Sequence, residues 1–286
     1  MQSKEKGFVT ILTGVYAFQD CIHFLSSVRK FHQDPILILI DRVPKFLTPL
    51  LQGFGNVILK ESPADENPVL AARKAKVALY NESPFEKTIF MDNDICLLSN
   101  IDEVFSYLDK FDLLVTKDVR PFITDASNLL RVKQDLETKY DVLPVLQSVG
   151  LPLTEGSVQY NSGMIAFRKK YNNKILFDKY KEYLELIIKN QDILLLRDQG
   201  AFAAAIEFVK PSLKVLPPNY NYLTMYKDFY EGIYEPIKVL HCTYIHRPQY
   251  AKNITKSIYM RVFDRLAKLF LPSRNKNPWR RKKANY

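Results

Sequence analysis

The sequence predicts an α/β fold, a mainly parallel central sheet flanked by helices. Three observations carry the prediction. Strand-like apolar runs alternate with helix-period segments through roughly the first 100 residues. One run, Pro35-Ile36-Leu37-Ile38-Leu39-Ile40, is continuously apolar, as parallel strands buried on both faces are. The chain is also long enough, at 286 residues and 47% hydrophobic content, to bury a substantial core.

Gly7 to Leu12 reads as the first strand. Phe18 to Phe31 is helical, with Phe18, Cys21, Ile22, Leu25 and Val28 on one stripe. After the 35–40 strand, Pro44 to Gln52 reads as helix, Asn56 to Leu59 as strand and Pro68 to Tyr80 as helix. A strand at 87–91 closes this alternating half. The second half is more mixed. Strands are predicted at Asp112–Thr116, Met164–Phe167, Leu213–Leu216 and Ile237–Leu240, and helices over 125–149, 172–190 and Ala201–Val209.

Composition excludes several classes. Eleven of the 41 Lys and Arg, but only one of the 31 Asp and Glu, lie from Lys252 onward. The net charge of +10 therefore belongs to a tail, and the neutral remainder argues against a nucleic-acid-binding core. No run of 18 apolar residues and no signal-peptide core occurs. Cys21, Cys96 and Cys242 are odd in number and widely spaced, which fits buried fillers in a reducing, cytoplasmic compartment.

The most informative segment is Phe90-Met91-Asp92-Asn93-Asp94. An apolar strand delivers two carboxylates, one residue apart, to a loop mouth, where open α/β sheets bind ligands. Two carboxylates there suit a hard divalent cation bridging to a diphosphate. Beyond them, Asn100 is placed to cap a helix, with Glu103 closing a capping box. The expected order is strand, acidic turn, helix. Other phosphate cradles are missing: Gly53-Phe54-Gly55 precedes a strand, no G-x-x-x-x-G-K-[ST] occurs, and only nine glycines are present. A metal must do that work.

Taken with Ser99-Asn100-Ile101-Asp102-Glu103-Val104-Phe105, this segment resembles the D-x-D block of glycosyltransferase family 8, which has the GT-A fold. The resemblance continues in order through Phe8-Val9-Thr10 with Thr13 and Tyr16, Lys76 before the acidic pair, Asn161-Ser162-Gly163, Asp198-Gln199-Gly200, Leu216-Pro217 with Tyr220-Asn221, and His241 with Arg247-Pro248. Together these blocks span residues 8 to 248, and their order makes the signal specific.

The resemblance implies a retaining hexosyltransferase using a UDP-sugar donor and a glycan or glycolipid acceptor, with a catalytic domain over 1–250. It implies Asp92, Asp94 and His241 as metal ligands. A mixed carboxylate and imidazole set suits Mn²⁺ better than Mg²⁺, the alternative ion. Thr13, Tyr16, Lys76, Asn93, Asp118, Asn161 and Arg247 are implied contacts to the nucleotide-sugar. Gln199 would sit under the anomeric carbon, and Asp198 would bind sugar hydroxyls or steady positive charge. The chain departs from the family pattern at Tyr244, where relatives have glycine, at Gln249, where they have tryptophan, and at Thr13-Gly14.

Residues 251–286 read as a basic extension. Tyr259, Val262, Phe263, Leu266 and Phe270 recur at helical spacing, and Trp279-Arg280-Arg281-Lys282-Lys283 follows. Such a tail suits peripheral attachment to an anionic membrane surface. Two other readings share the fold class. A catalytically silent glycan- or membrane-binding module would lack metal-dependent UDP binding. A sugar-1-phosphate nucleotidyltransferase would need a glycine-rich loop that residues 12–17 do not have.

Overall fold

The computed structural model describes residues 4–62, 65–125, 129–130, 142–195, 197–224, 236–242 and positions 265–266, 269 and 271. The first half alternates as β1 (Lys4–Thr13), α1 (Phe18–Arg29), β2 (Ile36–Asp41), α2 (Thr48–Gln52), β3 (Val57–Glu61), α3 (Pro68–Val77), α4 (Leu79–Glu82) and β4 (Phe85–Met91). There follow β5 (Ile95–Leu97), α5 (Asp102–Tyr107), β6 (Leu113–Phe122), α6 (Val142–Ser148), β7 (Val158–Arg168) and α7 (Tyr171–Lys189). The last elements are α8 (Gln199–Val209), β8 (Leu213–Leu216), β9 (Tyr222–Leu223) and β10 (Val239–His241).

Seven strands form one sheet in the order β3-β2-β1-β4-β7-β6-β8, and β5-β10-β9 form a second, small sheet. The large sheet is parallel except for β7, which runs antiparallel to both β4 and β6. The chain builds outward from β1 to β3, then crosses back to place β4 on the other side of β1. The switch point of the topology thus lies between the carboxyl ends of β1 and β4, where such sheets open a ligand crevice.

Alternating strand residues divide the core into two layers, as the pleat requires. Val9, Ile11, Leu37, Leu39, Phe90, Ile165 and Phe167 face α3, α7 and α8. Phe8, Leu12, Ile36, Ile38, Ile89, Met91 and Met164 face α1 and α5. The predicted α1 stripe is buried throughout, and the apolar run of β2 is covered on both faces. Helix α3 begins where Asn67 Oδ1 accepts from Val69 N at 2.9 Å and Pro68 fixes the first turn. Five of the 11 residues of α8 are Gly or Ala and all five are buried, which lets the helix lie close against β7 and α7.

Two local expectations are corrected. The acidic turn leads into β5, and only then into α5. The capping box does not form: Asn100 Oδ1 takes Asp102 N at 2.7 Å in a local turn, while the Glu103 carboxylate accepts from Tyr220 Oη at 2.7 Å and from Lys238. Two long-range donors outcompete one local backbone N–H.

All three cysteines are free and buried. Among the described residues no helix is long and apolar enough to cross a membrane. Most of the basic tail, and the 250/251 boundary, lie outside the described residues. Of the tail, Leu271 packs on the α1 side of the core, while Leu266 and Leu269 are exposed.

Candidate active site

Strand β4 ends at the switch point and hands the chain to Asp92-Asn93-Asp94. Both sheets pin this turn. Asp92 N donates to Gly163 O at 2.8 Å, and Cys242 N donates to Asp94 O at 2.9 Å. Asn93 Nδ2 donates to Ile11 O at 2.9 Å, tying the turn to β1 as well. Because β10 pairs antiparallel with β5, with His241 opposite Ile95, the imidazole arrives beside Asp94. Ligand atoms of Asp92, Asp94 and His241 lie within 4.8 Å of one another.

Gly163 makes room for the ring. A Cβ there would stand 2.5 Å from His241 Cε1 and 2.8 Å from Asn161 Oδ1. Gly163→Ala is therefore expected to push the imidazole off the acidic pair and weaken divalent-ion binding about tenfold or more. Mn²⁺ titration by calorimetry reads this; unchanged affinity would contradict the packing argument.

His241 Nδ1 lies 2.9 Å from Asn221 Oδ1, and Nε2 lies 3.3 Å from Asp94 Oδ1. With Nδ1 donating to Asn221, a neutral ring sets its Nε2 lone pair against a carboxylate oxygen. That contact needs a proton or a cation between the atoms. Burial disfavours protonation of His241, but Asp94 and then Asp92 outweigh it and raise its pKa. Burial raises the Asp92 carboxyl, and Asp94 adds to it against the pull of Lys76. Two carboxylates and an imidazole placed in this way could hold a divalent cation.

Behind the turn lies a buried ion network. Lys76 is only 2% exposed, and its Nζ is 3.0 Å from Asp92 Oδ1, 3.6 Å from Asp198 Oδ2 and 3.0 Å from Ser162 O. Arg73, one turn earlier on α3, meets Asp198 Oδ1 at 2.9 Å, and Tyr180 Oη donates to Asp198 Oδ2 at 2.6 Å. Burial alone would raise the Asp198 carboxyl. The Arg73 and Lys76 cations, with the Tyr180 hydroxyl, reverse this and hold it well below the usual carboxylate range.

A second set of contacts joins β6, β7 and the start of α8. Gln199 Nε2 donates to Asp118 Oδ2 at 2.7 Å, and Asn161 Nδ2 to the same oxygen at 3.2 Å. Asn221 Nδ2 donates to Asn161 Oδ1 and to Thr116 Oγ1, both at 2.9 Å. The register of β6 against β7 shifts between Val115 and Thr116, and the bulge sets Thr116 opposite Asn161.

Lys76, Asp92, Asp94, Asp118, Asn161, Asp198, Gln199 and His241 are thus joined through direct contacts, with Asn221 as one link. Thr13 and Tyr16 lie at and just beyond the end of β1, and the buried Thr13 Oγ1 has no partner among the described residues. Arg247 lies outside the described residues. Sequence reasoning missed Arg73 and Tyr180. The spacing of Arg73 and Lys76 was a usable signal, since residues three apart share a helix face.

No protein-family model and no curated protein matches the sequence. Solved structures do match. The apo structure of the bifunctional glycosyltransferase WbbM aligns with a TM-score of 0.64 at 15% identity, covering 93% of this chain and 52% of that one. The chain therefore spans about half the length of WbbM. The galactosyltransferase LgtC in complex with donor and acceptor sugar analogs aligns at 0.60 and 14% identity, over 96% of this chain and 100% of that one. An LgtC active-site mutant with glutamate in place of glutamine aligns at 0.60 and 13%, over 93% and 97%. The strand order and these likenesses agree on one conclusion: the chain is built on the GT-A fold of the glycosyltransferases.

Proposed function

We propose that the chain is a retaining glycosyltransferase that moves a hexose from a UDP-sugar to a glycan or glycolipid acceptor, with Mn²⁺ as its ion. The observation that carries this reading is the convergence of Asp92, Asp94 and His241 at the switch point, in ligand range of one another. When bound, the cation supplies Lewis-acid neutralisation of the charge that develops on the leaving diphosphate.

The chain's own residues do the rest. Thr13 and Tyr16 flank the nucleotide side, and Arg247 serves the diphosphate. Lys76, shared between Asp92 and Asp198, links the nucleotide side to the sugar side. The amide nitrogen of Gln199 is committed to Asp118, so its Oε1 is the atom left to meet the anomeric carbon. The glutamine-to-glutamate active-site mutant of LgtC favours giving Gln199 this part. Asp198 has both oxygens engaged by protein cations and a hydroxyl, so it acts chiefly by holding Arg73 and Lys76, with remaining lone pairs for sugar hydroxyls. In a front-side displacement the leaving phosphate takes the acceptor's proton, and no separate base is required. The catalytic unit occupies 1–250, and the basic extension 251–286 rests on an anionic membrane at the cytoplasmic face.

Calorimetry with UDP, with and without Mn²⁺, tests this reading, followed by hydrolysis of a panel of UDP-hexoses. Metal-dependent heat and turnover of one sugar are expected. Equal binding without metal, or turnover of no donor, would defeat it.

A further inference from the structure

The hydrogen bonds around His241 determine where its proton sits, and the reasoning starts from a group that cannot reverse its role. Gly163 N is a backbone donor, and it lies 2.9 Å from Asn161 Oδ1. That atom of Asn161 is therefore the oxygen, and its nitrogen faces the Asp118 carboxylate, an acceptor. The Asn221 atom 2.9 Å from Asn161 Oδ1 must then be a nitrogen. Asn221 accordingly turns its oxygen to His241 Nδ1 at 2.9 Å. An amide oxygen only accepts, so the ring must donate from Nδ1.

We infer that Asn221 is a positioning residue that fixes the proton of His241 on Nδ1 and so presents the Nε2 lone pair to the cation. The role rests on the metal reading given above. Asn221 is buried, 1% exposed, and does not belong to the ligand set. It acts through His241, as partners that orient metal-bound histidines do. The same side chain connects the ligand to the sugar side, because its nitrogen leads through Asn161 to Asp118, where Gln199 is also held. Cation site and sugar site thus share one chain of one-way hydrogen bonds, anchored at a backbone N–H in β7.

Long-range ¹H–¹⁵N NMR of the four histidines reads the tautomer directly, with His241 assigned by His241→Gln and the pH set where its ring is neutral. In the wild-type protein the proton is expected on Nδ1. In Asn221→Leu it moves to Nε2, and Mn²⁺ affinity falls about 10- to 100-fold. Asn221→Asp keeps an acceptor opposite Nδ1 and is expected to keep the tautomer, a rescue that a merely structural asparagine would not show, although its second oxygen gives up the bond to Asn161 Oδ1. A wild-type proton on Nε2 overturns the inference even if the leucine variant does not fold. So does a leucine variant with unchanged tautomer and affinity, or an aspartate variant with the ring proton on Nε2. If the tautomers follow the prediction but wild-type protein binds no Mn²⁺, the hydrogen-bond assignment stands and the metal reading falls.

Discussion

Asp94→Ala is expected to reduce glycosyl transfer about a thousandfold or more with little change in thermal midpoint. A metal acting as Lewis acid supplies several kcal/mol of transition-state stabilisation, and each 1.36 kcal/mol is a factor of ten in rate. The structural cost is small because the backbone does the structural part: Cys242 N still donates to the residue-94 carbonyl, and β5 still pairs with β10. The side chain lost is the one facing His241 Nε2 at 3.3 Å. Without it the ligand set loses a member and the ring loses its nearest anion. Initial rates with saturating donor and Mn²⁺, beside a melting curve, make the measurement. Full activity in Asp94→Ala would sink the assignment of the metal centre.

Asp198→Asn is expected to act in the opposite register, on stability first, lowering it by about 3–5 kcal/mol, the usual cost of removing one partner from a buried ion pair. The carboxylate is 2% exposed and holds Arg73 on one oxygen, and Lys76 with Tyr180 on the other. An amide would set an N–H against at least one of these donors and leave two cations without their shared anion. The effect carries a pH signature. The Asp198 carboxyl titrates well below its unfolded value of about 3.9. Its stabilisation is therefore fully present above about pH 4 and is lost as pH falls toward the folded-state value. Urea unfolding at neutral and acid pH should show a gap between wild type and variant that narrows in acid. A gap independent of pH would mean that packing, and not the ion network, is what the substitution removes.

The elements legible in the sequence are those whose signal is local. The apolar run of β2, the buried stripe of α1 and the start of α3 at Pro68 each act through residues near in sequence, and each forms as predicted. Strand β4 with its acidic turn was equally legible. Strand β5 was harder. It is three residues long and gains its identity by pairing with a distant segment, so nothing in the 95–97 triplet announced a strand. The strand expected at Ile237–Leu240, by contrast, forms as β10 over Val239–His241. Glu103 shows the same limit, since its capping role lost to Tyr220 and Lys238, whose approach only the tertiary fold provides.

In the site, the paired acids were readable from residue type and position alone. His241, Asn161, Asp118 and Gln199 came only through the ordered resemblance to family 8. Arg73 and Tyr180 were not assigned to the site, because their partner Asp198 belongs to another helix start, and only the three-residue spacing of Arg73 and Lys76 hinted at the ion network.

The most direct measurement is the anomalous scattering of manganese in crystals grown with Mn²⁺ and UDP. The account predicts a single strong peak in bonding contact with the carboxylates of Asp92 and Asp94, His241 Nε2 and the diphosphate. A manganese held by the diphosphate alone, with the imidazole turned away, would contradict it.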